Sequence, residues 1–571
     1  MNERQETSDT AATRRIALFG LLGTLVFGAA CLDLYLNGAT YHPVPNLKIF
    51  YHLILHHDSA ALLLQIGILA AALLLCPAPW MQRLLEFIVR HPLRLGGATT
   101  SVLALCALLL YHNHPLSMDE YLVRFQAQAF ASGRLTGEFP PALLDRLIPH
   151  GSTFLLSCPE SGLVISKYWP GFSLLLAPFE LARVPWLLNP LLFGGSLLLL
   201  HKAAREIFPS QPLAPGWAIL MALACPQLLI TSFSYYTMPA HLFFNLAFSV
   251  LLIQPTPGKA ALAGVMGAMA LVQHEPAPHL LYALPWFAWV AIKPGRVWNI
   301  LSLVIGYLPL VILITWLTTT LRSHALGGPP LFADPAGAVA LLTAAATTEH
   351  IVAPSLGIAW VRFLALLKLW AWAMPGLLVL AVMGAARVRR VPILAVFAAS
   401  MLLTFAASLF FQGSQGHGWG YRHLHYCYPA LLLLATAALV GHAPAEPAAP
   451  STHAQSRLLA YVCSVAVMSA TICNLQRFSQ VQDFVRNHLA QLPRHDPTEA
   501  SFVFVSSGGF YSTDLVQNHP RLEAPTWYLL SQGAKADEKF MQTVYPKARR
   551  VHLGPDGSVW KLVKSGNAIP R

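Results

Sequence analysis

The sequence predicts an all-α polytopic membrane protein with a small soluble α/β domain at its C-terminal end, an expectation that rests on three observations. Of its 571 residues, 55% are hydrophobic and only 11% are charged, against about 25% charged in soluble globular domains. The apolar residues gather into runs such as 16–36, 60–75 and 300–317, each near the roughly 20 residues that a helix needs to cross about 30 Å of hydrocarbon. After position 473 this character ends, and short strand-like segments punctuated by glycine follow. Inside hydrocarbon every backbone amide must bond within its own segment, so the long runs are read as helices.

Taken in order, thirteen spans are expected: 16–36, 58–76, 97–112, 171–200 (one long or broken helix), 213–232, 237–254, 260–273, 277–292, 298–318, 371–386, 391–410, 425–441 and 456–473. Arg14 and Arg15 precede the first run, but no small-x-small cleavage site opens a hydrophilic mature chain, so that run is read as retained. With the N-terminus inside, the basic clusters Arg83/Arg90/Arg94, Lys202/Arg205, Lys259, Lys293/Arg296 and Arg387/Arg389/Arg390 all fall on the inner side, as the positive-inside rule requires. Residues 113–170, the turn at His274 and Glu275, residues 319–370, residues 411–424 and the tail then face outward. The formal charge of +12 thus serves orientation, and nucleic acid is not expected as a partner.

The connection 77–96 mixes Trp80, Leu84, Leu85, Phe87 and Ile88 with Arg83 and Arg90, as an interfacial helix does. Residues 356–369 have the same look and read as interfacial or as a short re-entrant piece. The Pro/Ala-rich stretch 442–455 reads as a flexible inner connection. In the tail, 501–506, 526–530 and 559–563 are strand candidates. Three parts result: 1–96 with two spans and the interfacial segment, a transmembrane module over 97–473 with the large outward loop 113–170, and an outward α/β domain over 474–571. The eight cysteines form no CxxC pair, so neither a disulfide framework nor a zinc site is expected.

Several groups at the outer face invite a chemical reading. Asp119 and Glu120 follow the third span in the text Ser117-Met118-Asp119-Glu120-Tyr121 and begin a helix expected over 119–133. Acidic residues favour a first helical turn, and Ser117 with Glu120 matches a capping box; a carboxylate here also suits a general base. Lys167 and Tyr168, in Lys167-Tyr168-Trp169-Pro170-Gly171, read either as interfacial anchors or as contacts for a phosphate and a sugar. Glu275, beside His274 and Pro276, lies so near hydrocarbon that it needs a partner or a use. The stretch 412–426, rich in glycine and histidine, places Arg422 and His423 where an anion would be held. Among 23 histidines, His112 and His114 lie near Asp119 and form a candidate set for a divalent ion, although no specific metal motif is present.

As a whole the pattern resembles the polytopic GT-C glycosyltransferases that use polyprenyl-phosphate sugars, the group of the protein O-mannosyltransferases, the lipid A aminoarabinose transferase and the lipopolysaccharide-core transferases. The resemblance rests on Ser117-Met118-Asp119-Glu120-Tyr121 with Gln126, Ala129 and Gly133-Arg134-Leu135, and on the run from Lys167 to Pro178. It covers residues 100–300; beyond that it is architecture only, and the pair of spans before the acidic loop departs from many relatives. It implies Asp119, with Glu120 beside it, as catalytic base or acceptor-orienting group, and Lys167 and Tyr168 on the donor side. His274, Glu275, Arg422 and His423 are assigned to substrate by position. The implied activity is inverting transfer of a sugar to a lipid or glycan hydroxyl at the periplasmic or outer face of a bacterial inner membrane, with a divalent metal as an optional aid. A ligase or polymerase using a lipid diphosphate is the near alternative. A flippase is the remote one, since no repeat and no mid-span path of charges is visible.

Overall fold

The computed structural model describes residues 3–37, 47–326, 351–411, 413, 415–440 and 456–562. The connection 442–455 and the stretch 327–350 lie outside the described residues. Within them, seven helices are long and apolar enough to cross a membrane: Asp9–Asn37, Lys48–Ala72, Pro92–Leu109, Pro185–Ile207, Arg296–Leu326, Arg422–Val440 and Arg457–Leu489. The pair Leu356–Trp372 and Leu377–Ala385, bent by 105°, makes eight if counted as one span. This corrects the expected thirteen.

The physical cause is that apolar composition does not distinguish a helix facing lipid from one buried among helices. The run 213–232 is two short helices, Ala214–Leu223 and Pro226–Thr231, parted before Pro226, whose ring and missing amide forbid continuation. The run 171–200 breaks similarly before Pro185, leaving the short helix Gly171–Leu181. Met238–Leu252 has 15 residues, a rise of about 22 Å, short of the hydrocarbon thickness. Twelve of its side chains are buried in the bundle. By contrast Arg296–Leu326 shows lipid a stripe that includes Trp298, Leu301, Ile305, Leu308 and Ile312, while its Gly306 meets Gly264 of Pro257–Leu271 with no room for a Cβ on either. Such close small-residue crossings are how helices pack where lipid offers no hydrophobic contrast.

Charge also has a structural use inside the bundle. Asp58 of the second span is fully buried and pairs with Lys368 at 2.8 Å and with Arg477 at 3.2 Å, both likewise buried; the Trp372 indole N–H donates to the same carboxylate. Two π-helical turns, Ile54–Asp58 and Ser469–Cys473, lie on the helices that bring Asp58 and Arg477 together. Residues 356–369 are therefore not a helix floating at the interface: they lie in Leu356–Trp372, which carries Lys368 into the core.

At one end of the bundle the first large loop forms the helix Met118–Ala131 and an antiparallel three-stranded sheet in the order Gly137–Glu138, Leu163–Ser166, Leu155–Ser157. The final long helix runs through position 474 to Leu489. Beyond it stands a four-stranded sheet, ordered Thr526–Leu530, Ser501–Val505, Gly557–Leu562, Ala548–Gly554. Its first two strands are parallel and the others antiparallel. The all-apolar centre of Ser501–Val505 is buried on both faces: Phe502 and Phe504 pack with Met541 of the helix Ala534–Val544 and with the loop, and Val503 and Val505 pack with Leu515, Val516 and, at the end of the last long helix, Leu489. A buried ion pair, Arg146 to Asp537 at 2.6 Å, fastens loop to tail, and Tyr121 donates to the Asn518 carbonyl at 2.6 Å.

The Asp58 cluster makes a prediction with a built-in asymmetry. Asp58→Asn strands two buried cations and is expected to cost about 3–5 kcal/mol, whereas Lys368→Met leaves Asp58 paired with Arg477 and costs clearly less. Thermal unfolding of the purified variants in detergent reads the difference; equal losses would contradict the account.

Candidate active site

The site is built from four segments far apart in sequence. Helix Met118–Ala131 starts at a capping box, in which the Glu120 carboxylate accepts from the Ser117 amide at 3.2 Å. The same carboxylate accepts from the amides of Leu116 and Tyr235, at 2.9 and 2.8 Å, and from the Tyr111 hydroxyl at 3.2 Å. Glu120 is fully buried. Of the two adjacent carboxylates, it faces inward and fixes the helix start, and Asp119 faces Arg422 and Tyr168.

Both oxygens of Asp119 are engaged. One takes a hydrogen bond from Arg422 at 2.7 Å, and the other takes the Tyr168 hydroxyl. Tyr168 lies in the segment that follows strand Leu163–Ser166, its ring packed at 3.7 Å from that of His274. That segment is stitched to the His274 turn by backbone bonds from Trp169 to the His274 carbonyl and from Gly171 to the Val272 carbonyl, each 3.1 Å. Burial opposes ionisation of Asp119, but the Arg422 charge and the hydrogen bonds from Tyr168 and Arg422 outweigh it and hold its pKa below the ordinary value. Burial lowers the pKa of His274, against the pull of Glu275 and Asp119; burial and the Asp119 charge raise that of Tyr168.

Arg422 is held by a glycine-rich strap. Its second terminal nitrogen donates to the Gln415 carbonyl, and its backbone amide donates to the Gln415 side chain at 3.1 Å. Gly418, at φ +142°, passes so close to the Arg422 stem that a Cβ would collide with it, which is the reason for glycine there. The guanidinium stands 5.1 Å over the Tyr236 ring, and its buried Nε has no hydrogen-bond partner among the described residues. Lys167 is half-buried; its carbonyl accepts from Arg322 at 3.1 Å. Neither the Lys167 ammonium nor the Glu275 carboxylate has a hydrogen-bond or ion-pair partner among the described residues.

The structure thus gathers Asp119, Tyr168, His274 and Arg422, with Lys167 and Glu275 on the same two joined segments. His423 makes ring contacts with Phe411 and Tyr421 and no hydrogen bond to Asp119. His112 is exposed, and His114 turns toward His488, their rings 6.5 Å apart. Among the described residues no three His, Cys, Asp or Glu side chains form a metal-sized group, so His112, His114 and Asp119 do not assemble as a ligand set. Three contributors escaped the sequence reading. Tyr236 had a signal, the polar break Ser232–Thr237 inside an apolar region. Asp514, which accepts from the Met118 amide at 2.8 Å and so steadies the start of the Asp119 helix, had none. Arg322 had the signal of a charge ending a long apolar run.

No protein-family model and no curated protein matches the chain. Among solved structures, it is similar to ArnT from Cupriavidus metallidurans, in a crystal structure bound to undecaprenyl phosphate and in one of the apo state. Identity is 12% and the TM-score 0.48 in both; the alignments cover 84% of this chain and 99% and 98% of those chains. At this level of likeness the site is read from its own geometry.

Glu120 gives a pH prediction. Burial, only partly offset by hydrogen bonds from Tyr235, Leu116, Tyr111 and Ser117, raises its pKa from 4.5 to about 7. Between these values the folded protein holds a proton that the unfolded chain has released. This contribution to stability is full below the ordinary pKa and is lost as pH rises through about 7. Melting in detergent across that window is expected to show the loss, and Glu120→Gln to flatten it; an identical pH profile for the variant would contradict the assignment.

Proposed function

We propose that the protein is a membrane glycosyltransferase. It moves a sugar from a polyprenyl-phosphate donor to a hydroxyl of a lipid or glycan acceptor at the outer face of the membrane, with inversion at the anomeric carbon. The observation that carries this reading is the Asp119 carboxylate, kept ionised by Arg422 and Tyr168 at the end of the helical bundle, with Lys167, a cation that has no hydrogen-bond or ion-pair partner among the described residues, on the adjoining segment. The donor class comes from the resemblance of the 117–121 and 167–178 segments to the GT-C group. A long lipid tail requires a site open to the bilayer, and a bundle of apolar helices supplies the setting.

In the reaction the acceptor oxygen attacks the anomeric carbon and the bond from that carbon to the phosphate oxygen breaks, its electron pair staying on the phosphate. The acceptor proton passes to Asp119. A carboxylate of depressed pKa is a weak base, but the proton it receives grows strongly acidic as the new bond forms. Lys167 and Arg422 balance the charge that grows on the leaving phosphate. Tyr168 holds the carboxylate in place, and His274 holds Tyr168. One displacement with no enzyme-bound intermediate inverts the centre.

The test is transfer of radiolabelled sugar from a panel of polyprenyl-phosphate sugars to membrane lipids and glycans. Asp119→Asn is expected to lose about 10²–10⁴-fold of the rate while folding normally, and Lys167→Met to weaken use of the donor. Undiminished transfer by the Asp119 variant would remove it as base; transfer from a diphosphate donor alone would replace the donor class.

A further inference from the structure

Beside this site lies a second cluster that the proposed chemistry does not use. Five buried ring nitrogens on four histidines have no hydrogen-bond partner among the described residues: Nδ1 of His57, Nε2 of His114, Nε2 of His417, and both nitrogens of His488. The four are contiguous through aromatic rings. His114 lies 6.5 Å from His488, and His488 lies 6.0 Å from Tyr511. Tyr511 is 5.4 Å from His417, which is 5.4 Å from Phe484, and Phe484 is 5.8 Å from His57. His417 and His488 are each 2% exposed. Buried polar atoms are normally paired, so five orphans in one place leave hydrogen-bonding capacity that the described residues do not use.

The chemistry of that surface selects its ligand. Burial lowers the pKa of His114 to about 3 and puts that of His417 well below the ordinary value, so both rings are neutral near pH 7. A neutral imidazole offers one donor and one acceptor, which matches a hydroxyl group. An anion asks for donors only. A metal ion asks for lone pairs converging on one point, whereas these rings are strung out over separations of 5.4–6.5 Å, and no group of three among the described residues is metal-sized. Phe484 and Tyr511, both only partly buried, add flat apolar faces for the C–H side of a sugar ring.

Position ties the cluster to the reaction. Nδ1 of His417 is bonded to the Tyr236 hydroxyl at 2.8 Å, and Tyr236 lies under Arg422. Tyr511 belongs to the tail, in a turn after strand Ser501–Val505 that Gln491 holds through a 3.0 Å bond to the Phe510 carbonyl. We propose that the cluster of His114, His417, His488, Phe484 and Tyr511, between the last long helix and the tail domain, is the acceptor subsite and takes an uncharged, hydroxyl-rich sugar. The tail domain then completes the acceptor side. The acceptor role rests on the glycosyl-transfer reading; the sugar site does not.

The His488 side chain has no hydrogen bond within the protein among the described residues, which makes His488→Phe a discriminating variant. A packing role alone makes it neutral or stabilising. The sugar site predicts instead that affinity for an uncharged methyl glycoside, read by tryptophan fluorescence or ligand-observed NMR on the full-length protein, falls about tenfold or more with melting undiminished. It also predicts that intact protein prefers methyl glucoside to glucose 6-phosphate. Equal affinity in parent and variant, or preference for the phosphorylated sugar, overturns the proposal. In the transfer assay the variant is expected to raise the acceptor KM and leave the donor KM unchanged. Sugar binding lost in His488→Phe, with no transfer by the parent protein from any donor, would retain the sugar site and discard the glycosyl-transfer reading.

Discussion

The 2.7 Å ion pair between Asp119 and Arg422 joins residues 303 positions apart, and the neighbouring structure is arranged to keep both ends in place. Asp119 cannot swing away because the next residue, Glu120, is locked into the core by three backbone amides and Tyr111. The tail holds the amide of the preceding residue, Met118, through Asp514. Arg422 cannot swing away because Gln415 and the close passage of Gly418 confine it. A charge-assisted bond of this kind is worth about 1.5–3 kcal/mol, enough to set the ionisation of Asp119 and small enough for a phosphate to compete for the arginine.

A second buried charge cluster does different work. Asp58, Lys368 and Arg477 lie wholly inside the bundle and tie the second span, the bent pair and the last long helix together. That last helix carries Phe484 and His488 outward to the tail. The cluster therefore fixes the platform on which the outer layer stands. Its Trp372 lies 5.9 Å from Trp419, whose indole donates to Tyr111, the residue that also holds Glu120. Core and site are thus joined by contiguous packing.

Much of this was legible in the sequence. The membrane class followed from composition, the tail sheet from Ser501–Val505 and Thr526–Leu530, and the start of helix Met118–Ala131 from Ser117 and Glu120, which form the capping box that pattern implies. Asp119, Tyr168 and Arg422 were named from residue type and place, and the structure brings them into contact. The span count failed because Pro226, Pro185 and the short helix Met238–Leu252 sit in stretches whose apolarity reflects burial in protein. The partner of Lys368 was hidden because a buried ion pair 310 residues apart leaves no local pattern. The histidine cluster was hidden for the same reason: His57, His114, His417 and His488 belong to four segments that only the fold unites.

The glycosyl-transfer proposal requires a lipid phosphate to bind at the Asp119–Arg422 end of the bundle. A cryo-electron microscopy structure of the full-length protein with bound polyprenyl phosphate tests it most directly. The account predicts phosphate density contacting Lys167 and Arg422, with the prenyl chain running down an outer face of the helices. Phosphate bound at the opposite end, near Arg90 and Arg387, would contradict it.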